Sequence, residues 1–252
     1  MKTVILQAKN MCKTFSASKT IQTQALNNVN LKIYQGDFTV IMGASGAGKS
    51  TLLYTLSGMD SVSDGEVYYK DKNLTELTEK QMARLRANEF GFVFQQTHLV
   101  SNLTLLENVK VAGFLANEKQ AEQKAMQLLE KMGVADVMNH LPNQVSGGEG
   151  QRASIARAMI GTPGVLFADE PTGALNKNSS KDILNLLSAL HKDGQSILMV
   201  THDLRAALRG NRILYLEDGQ ILSELELSLY ESDNEQKARE NKLNDWLSSL
   251  SW

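Results

Sequence analysis

The chain has 252 residues, of which 42% are hydrophobic and 21% charged, and its formal net charge is -2. This composition excludes disordered and fibrous classes and is typical of a globular protein, while the small charge argues against a nucleic-acid partner. The single cysteine, Cys12, excludes an intrachain disulfide framework and a cysteine-based zinc site. No apolar run approaches the roughly 18 residues needed to span a bilayer, so a membrane role would require another chain.

The N-terminal part of the chain has the pattern of β-strands. Apolar residues alternate around positions 4–8 and 29–33, which predicts two half-buried strands. The run FTVIM at 38–42 is continuously apolar and predicts a strand buried on both faces, which leads directly into a glycine-rich sequence.

Helical and strand patterns then alternate. Residues 74–90 and 105–132 are mainly helical in pattern, whereas VLFA (165–168) and SILMV (196–200) are further buried strands. The order predicts an α/β fold with a mostly parallel central sheet, an N-terminal antiparallel β subdomain and an inserted α-helical subdomain at about 96–160.

The glycine-rich sequence GASGAGKS fits the phosphate-loop pattern G-x-x-x-x-G-K-[ST] at every fixed position. Such a loop directs backbone N–H groups and a helix N-terminus at phosphate oxygens, so the chain has a P-loop NTPase site. Lys49 would neutralise the β- and γ-phosphates, and the Ser50 hydroxyl would bind Mg²⁺. The predicted ATP-binding residues here are Gly43, Ala44, Ser45, Gly46, Ala47, Gly48, Lys49, Ser50 and Thr51.

Two adjacent carboxylates follow the predicted strand at 165–168. The carboxyl ends of parallel strands are where α/β sheets bind ligands. Asp169 suits Mg²⁺, and Glu170 suits a general base that polarises the attacking water. A solvated strand end is the alternative interpretation of such a pair.

The sequence VSGGEGQR at 145–152 resembles the signature of the ABC ATPase family, LSGGQ followed by Q/R-R. In that family the motif of one subunit binds the γ-phosphate held by its partner, which implies that Ser146, Gly147, Gly148 and Glu149 act on the ATP of a second chain. Val145 and Glu149 depart mildly from the family pattern, where Leu and Gln are commonest. A plain helix N-cap would also explain a serine before two glycines.

Further residues match the family's order of motifs. The resemblance implies that Gln95 contacts Mg²⁺ and the attacking water, that His202 senses the γ-phosphate, and that Phe15 stacks on adenine. Asn176 stands where the family usually has the aspartate of its D-loop, so altered coupling between subunits or an altered hydrolysis rate is expected, with no sign assigned.

Residues 1–225 resemble an ABC nucleotide-binding domain of the bacterial group that releases lipoproteins, exports macrolides and confers resistance to peptide antibiotics. The resemblance implies an ATPase that closes as a homodimer around two ATP with Mg²⁺ and drives integral membrane permease subunits. It also implies a peripheral location at the cytoplasmic face of the membrane. The residues Leu99, Leu103, Leu105 and Leu106 are either permease contacts or ordinary packing.

Two other functions remain open. One is a soluble ABC ATPase of DNA repair or translation, and the other is a regulatory ATP-binding subunit with weak turnover. Residues 226–252 form a tail with a short predicted amphipathic helix, whose apolar stripe is Leu243, Trp246, Leu247 and Leu250. That helix would dock on its own domain, on a partner subunit or on a membrane surface.

Overall fold

The computed structural model describes residues 2–16 and 22–250. Within these ranges the strands are β1 (Val4–Ser16), β2 (Gln22–Tyr34), β3 (Phe38–Met42), β4 (Asp64–Tyr69), β5 (Lys72–Asn73), β6 (Phe90–Phe94), β7 (Val165–Asp169), β8 (Ser196–Val200), β9 (Arg212–Glu217) and β10 (Gln220–Glu226). The α-helices are α1 (Lys49–Leu56), α2 (Glu79–Glu89), α3 (Leu105–Leu115), α4 (Ala121–Lys131), α5 (Gly147–Met159), α6 (Lys177–Lys192), α7 (Leu204–Ala207) and α8 (Gln236–Ser249). The short 3₁₀ helices are Leu74–Glu76, Ala135–Val137, Pro142–Gln144 and Asp233–Glu235.

The chain forms two compact units. The first unit contains the residues up to 76 and those from 196 onward, and the second unit contains Leu77–Gln195.

The first unit contains antiparallel and parallel strands. One sheet is antiparallel with the order β2-β1-β4-β5. Elsewhere in this unit β3 lies between β8 and β9, parallel to both, and β10 is antiparallel to β9. Every residue of β3 and of β8 is buried, which is why both read as continuous apolar runs.

The second unit combines a parallel strand pair with the helices α2 to α6. Strands β6 and β7 pair in register from Phe90 opposite Val165 to Phe94 opposite Asp169. Helices α2 and α3 each begin with a threonine in a capping box, in which the threonine side chain and the third helical residue satisfy each other's N–H groups. The fully buried side chains of α3, α4 and α5 include Leu105, Val109, Ala125, Leu129 and Ile155. The predicted fold class, with its antiparallel N-terminal sheet, parallel strands and helical insertion, is confirmed.

The tail forms helix α8 within the first unit. Leu243 and Leu247 are only 1% and 2% exposed. Trp246 is half-buried, its Nε1 donates a hydrogen bond to Ser223 Oγ at 3.0 Å, and its ring lies edge-on to Tyr215. These contacts support the interpretation that the tail docks on its own domain.

Arg239 fastens the same helix through main-chain carbonyls. Its guanidinium is 3% exposed and donates to Leu208 O at 2.9 Å, to Gly210 O at 2.6 Å and to Ser228 O at 2.6 Å. It also lies 5.5 Å from the ring centroid of Tyr230. Burial lowers the pKa of this guanidinium, although three carbonyl acceptors compensate the charge.

Candidate functional site

The predicted phosphate loop joins β3 to α1 in the first unit. Gly46 and Gly48 have φ of +84° and +100°, in the left-handed region that favours glycine. A Cβ on Gly43 would lie 2.1 Å from Leu216 O, and one on Gly48 would lie 2.6 Å from Ala25 O. The loop therefore requires glycine at 43 and 48 because of close packing, and at 46 because of its backbone conformation.

Lys49 reaches back over this loop. Its Nζ donates to Gly43 O at 2.8 Å and to Ala44 O at 2.9 Å, which places the ammonium group across the mouth of the loop. Helix α1 begins at Lys49, and its first turn carries no acidic residue, so its N–H groups and positive dipole end suit an anion. The loop, the lysine and the helix end together provide a geometry that fits a phosphate group.

Phe15 lies near the end of β1 with its side chain in solvent. The residue is 45% exposed, so Phe15 does not pack in the core. The Nζ of Lys13 lies 5.0 Å from the ring centroid and donates to Asp60 Oδ1 at 2.6 Å and to Ser61 O at 2.7 Å. An exposed ring that is supported from one side is suited to stacking against a flat ligand.

His202 follows β8 in the first unit. Ile41 of β3 is opposite Val200 of β8, and Thr201 N donates to Ile41 O at 3.1 Å. The phosphate loop and His202 therefore follow neighbouring strands at the same edge of this sheet. The His202 side chain is exposed at this edge.

Gln95, Asp169 and Glu170 lie together in the second unit. Because Phe94 is opposite Asp169, the next residues, Gln95 and Glu170, leave the two strands side by side. The side chain of Gln95 contacts the Gly173 backbone, where an added Cβ would meet its Nε2 at 2.9 Å. Asp169 is 8% exposed, and Glu170 has a φ of +46°, a strained conformation for a non-glycine residue.

The predicted signature residues begin helix α5. Ser146 is its N-cap and forms a capping box with Glu149: Glu149 N donates to Ser146 Oγ at 3.3 Å, and Ser146 Oγ donates to Glu149 Oε2 at 2.6 Å. Ser146 N also donates to Glu149 Oε2 at 2.7 Å. Two hydrogen bonds from Ser146 lower the pKa of Glu149 below the ordinary value of 4.5. The bond from the Ser146 hydroxyl has the larger effect, and the bond from the Ser146 N–H group has the smaller one. The N-cap interpretation and an anion-binding role are therefore compatible, since the same helix end provides both.

Asn176 has a defined local role in the second unit. It is the exposed N-cap of α6, and its Oδ1 accepts from Ser179 N at 3.0 Å. Aspartate at this position would make the same cap, so the departure from the family pattern changes charge without requiring a change in helix geometry.

Each residue that the sequence predicts to bind Mg²⁺ carries an oxygen donor. Ser50 contributes a hydroxyl, Gln95 an amide oxygen and Asp169 a carboxylate, and oxygen donors of this kind suit Mg²⁺. Within residues 2–16 and 22–250, no three or more His, Cys, Asp or Glu side chains form a metal-binding group.

The sequence did not reveal three polar side chains that are wholly or partly buried. They are Lys13, Gln151 and Arg157. Arg157 donates to His98 O at 2.7 Å and to Thr97 O at 2.8 Å, and burial lowers its pKa. Only the position of Gln151, immediately after the signature, hinted at a role.

Known proteins resemble this chain over most of its length. The profile of the ABC transporter family matches residues 26–173. The macrolide export ATP-binding/permease protein MacB of Bartonella quintana is 42% identical over 87% of this chain, but the match spans only 34% of MacB. An uncharacterized ABC transporter ATP-binding protein of Methanocaldococcus jannaschii, MJ1508, is 42% identical over 86% of this chain and 98% of its own length.

Solved structures agree with the sequence relatives. A dimeric structure of a post-hydrolysis state of the ATP-binding cassette MJ0796, bound to ADP and Pi, matches with a TM-score of 0.82 and 36% identity over 90% of this chain and 100% of that chain. Among the residues that the model describes, no helix is long and apolar enough to cross a membrane. The phosphate loop and the family profile lead to the same conclusion: the chain belongs to the ABC transporter family and is an ATPase of that family.

Proposed function

We propose that the chain is the ATP-binding and ATP-hydrolysing subunit of an ABC transporter, in which two copies close around two ATP and drive a permease. The observation that carries the proposal is the loop at 43–48, whose glycine conformations and overlying Lys49 leave a cradle that fits phosphate. The exposed ring of Phe15 would stack on the adenine at the end of β1.

Hydrolysis is assigned to the residues that follow β6, β7 and β8. Glu170 is the general base that takes a proton from the attacking water, Gln95 orients that water, and His202 contacts the γ-phosphate. Ser50, Gln95 and Asp169 would hold Mg²⁺, which would neutralise phosphate charge. The strained φ of Glu170 supports a functional role, because strained residues concentrate at such sites.

The second half of each site comes from another copy of the chain. Ser146, Gly147, Gly148 and Glu149 form a helix start that suits phosphate and has no lysine of its own. The related cassette MJ0796, of which the match covers 100%, is dimeric. Both observations support a sandwich in which the signature of one copy completes the phosphate site of the other.

The partner is an integral membrane permease, and the chain works from the cytoplasmic face of the membrane. MacB is named as an ATP-binding/permease protein, and the match to this chain spans 34% of it, which supports a permease as the partner. The cargo class we propose is a peptide, an antibiotic or a lipid-linked molecule that is exported or extracted. Leu99, Leu103 and Leu106 are partly exposed and remain proposed contacts for the permease. Leu105 is fully buried in α3, so for this residue packing within the domain is the correct alternative.

The test is to replace Glu170 with glutamine and to measure ATP turnover and oligomeric state together. Loss of a general base is expected to lower turnover by at least about 100-fold, while ATP binding is retained and a dimer accumulates with ATP. Glu130→Gln, at an exposed position on α4, is the control and is expected to behave like the wild type. Wild-type turnover in Glu170→Gln would refute the catalytic assignment, and a monomer in saturating ATP would refute the sandwich.

A further inference from the structure

Gln151 connects three segments of the second unit. It lies in the first half of α5, and its side chain is only 1% exposed. Its Nε2 donates to Phe94 O at 2.8 Å and to Pro171 O at 2.8 Å. Phe94 precedes Gln95, and Pro171 follows Glu170, so one amide group ties the signature helix to both proposed catalytic positions.

The amide has no spare donor. A glutamine Nε2 carries two hydrogens, and each is directed at one of these two carbonyls. Its Oε1 accepts from Ser154 Oγ at 3.4 Å, within the same helix. Because a buried polar group is stable only when it is hydrogen-bonded, the buried amide of Gln151 depends on these two carbonyls.

The backbone at Glu170 requires support of this kind. Its φ of +46° is strained, and such a conformation persists when the surrounding bonds determine it. Gly173 N donates to Glu170 O at 2.9 Å, on one side of the turn. Gln151 holds the carbonyl of Pro171, the next residue, so two hydrogen bonds fix the backbone on the C-terminal side of Glu170.

Two further hydrogen bonds attach α5 to the segment after Gln95. Arg157, two turns further along the helix, donates to Thr97 O and His98 O. The segment is therefore held before Gln95 by Gln151 and after it by Arg157. Both ties come from the helix whose first residues are the signature.

We propose that Gln151 is a positioning residue for hydrolysis: it holds the backbone at Gln95 and at Glu170 in the geometry that activates water, and it makes that geometry depend on the position of the signature helix. This proposal rests on the roles of Gln95 and Glu170 given above. It assigns to Gln151 no contact with the nucleotide. Its effect is on turnover, not on ATP binding.

The test is Gln151→Met, which keeps the length of the side chain and removes both donors. Misplacement of catalytic groups by about 1 Å costs on the order of 100-fold in rate, so kcat is expected to fall at least about tenfold. The KM for ATP is expected to stay within about twofold of the wild-type value, because the phosphate loop keeps its own hydrogen bonds. In a Glu170→Gln background, Gln151→Met is expected to have little further effect on kcat, since residues that act as a unit are not additive.

Gln195→Met is the matched control, because Gln195 Nε2 also donates to a proline carbonyl, Pro163 O, at 3.1 Å. Gln195 precedes the amino end of β8 and adjoins none of the proposed catalytic residues, so its kcat is expected to be unchanged. Gln151→Glu provides a second variant. Its ionised carboxylate has no donor for the two carbonyls, so its kcat is expected to fall at least as far as that of Gln151→Met.

Two outcomes would overturn the proposal. One is a wild-type kcat in Gln151→Met or in fully ionised Gln151→Glu. The other is a fall in kcat that would indicate only a structural role. Such a fall would occur equally in Gln195→Met, or it would come with an equal loss of ATP affinity. If Glu170→Gln itself keeps wild-type turnover, the catalytic assignment fails, and this result is distinct from a failure at Gln151.

Discussion

Removal of the Arg239 guanidinium is expected to release the C-terminal helix. In Arg239→Met the carbonyls of Leu208, Gly210 and Ser228 lose their donor. The bonds to Leu208 O and Gly210 O are buried, and each of these carbonyls costs about 1 to 3 kcal/mol when it is left unsatisfied, whereas the carbonyl of the exposed Ser228 can bond to water. Relief from burying the charge offsets part of the total. The net loss is about 3 kcal/mol in the free energy that holds α8 in place.

Native-state hydrogen exchange of the α8 amides measures this quantity directly. A loss of about 3 kcal/mol corresponds to roughly 100-fold faster exchange, if α8 opens as a local unit. Lys242→Met, on the same helix at an exposed position, is the control and is expected to leave exchange unchanged. Exchange rates in Arg239→Met within about threefold of the wild type would refute the reasoning, because the three hydrogen bonds would then contribute almost nothing.

Substitutions at three further positions test individual side chains. Since Ser146 lowers the pKa of Glu149 below 4.5, the ionised carboxylate stabilises the fold, and this contribution is lost as pH falls through the lowered pKa. The difference in unfolding free energy between the wild type and Glu149→Gln is therefore expected to be constant above about pH 5 and to shrink below about pH 4, in urea titrations. Phe15→Ala is expected to raise the KM for ATP about tenfold with kcat unchanged, because base stacking contributes about 1 to 3 kcal/mol. Asn176→Ala is expected to lower stability by about 1 kcal/mol in the same urea titrations, whereas Asn176→Asp keeps the cap and the stability.

Each of these expectations has a contradicting result. A pH-independent difference for Glu149→Gln would exclude its charge as the source. An unchanged KM in Phe15→Ala, with Phe15→Tyr as control, would exclude the stacking role. Equal stability of the two Asn176 variants would show that its hydrogen bond to Ser179 does not stabilise α6.

The fold was readable from the sequence where one physical requirement dominates. Strands β3, β7 and β8 are buried on both faces, so their apolar runs are continuous and unambiguous. The phosphate loop was equally clear, because only glycine tolerates the approach at Gly43 and the backbone at Gly46.

The residues that the sequence did not reveal are polar side chains whose role depends on distant partners. Gln151 and Arg239 lie in helices, where a polar residue normally indicates a solvated face. Both side chains can be buried because they donate hydrogen bonds to backbone carbonyls of segments that are distant in sequence, as Gln151 does to Pro171 O. The tail shows the same limit: the apolar stripe predicted the burial of Leu243 and Leu247 but not the anchor at Arg239.

The most direct test of the central claim measures ATP binding and phosphate release by the purified chain and by Lys49→Ala in the same preparation series. The account predicts that the wild type binds and hydrolyses ATP with Mg²⁺. Lys49→Ala, which removes the ammonium group over the loop, should lose most ATP affinity and nearly all turnover. Equal turnover of ATP by the wild type and Lys49→Ala would contradict the assignment of this loop as the site of hydrolysis.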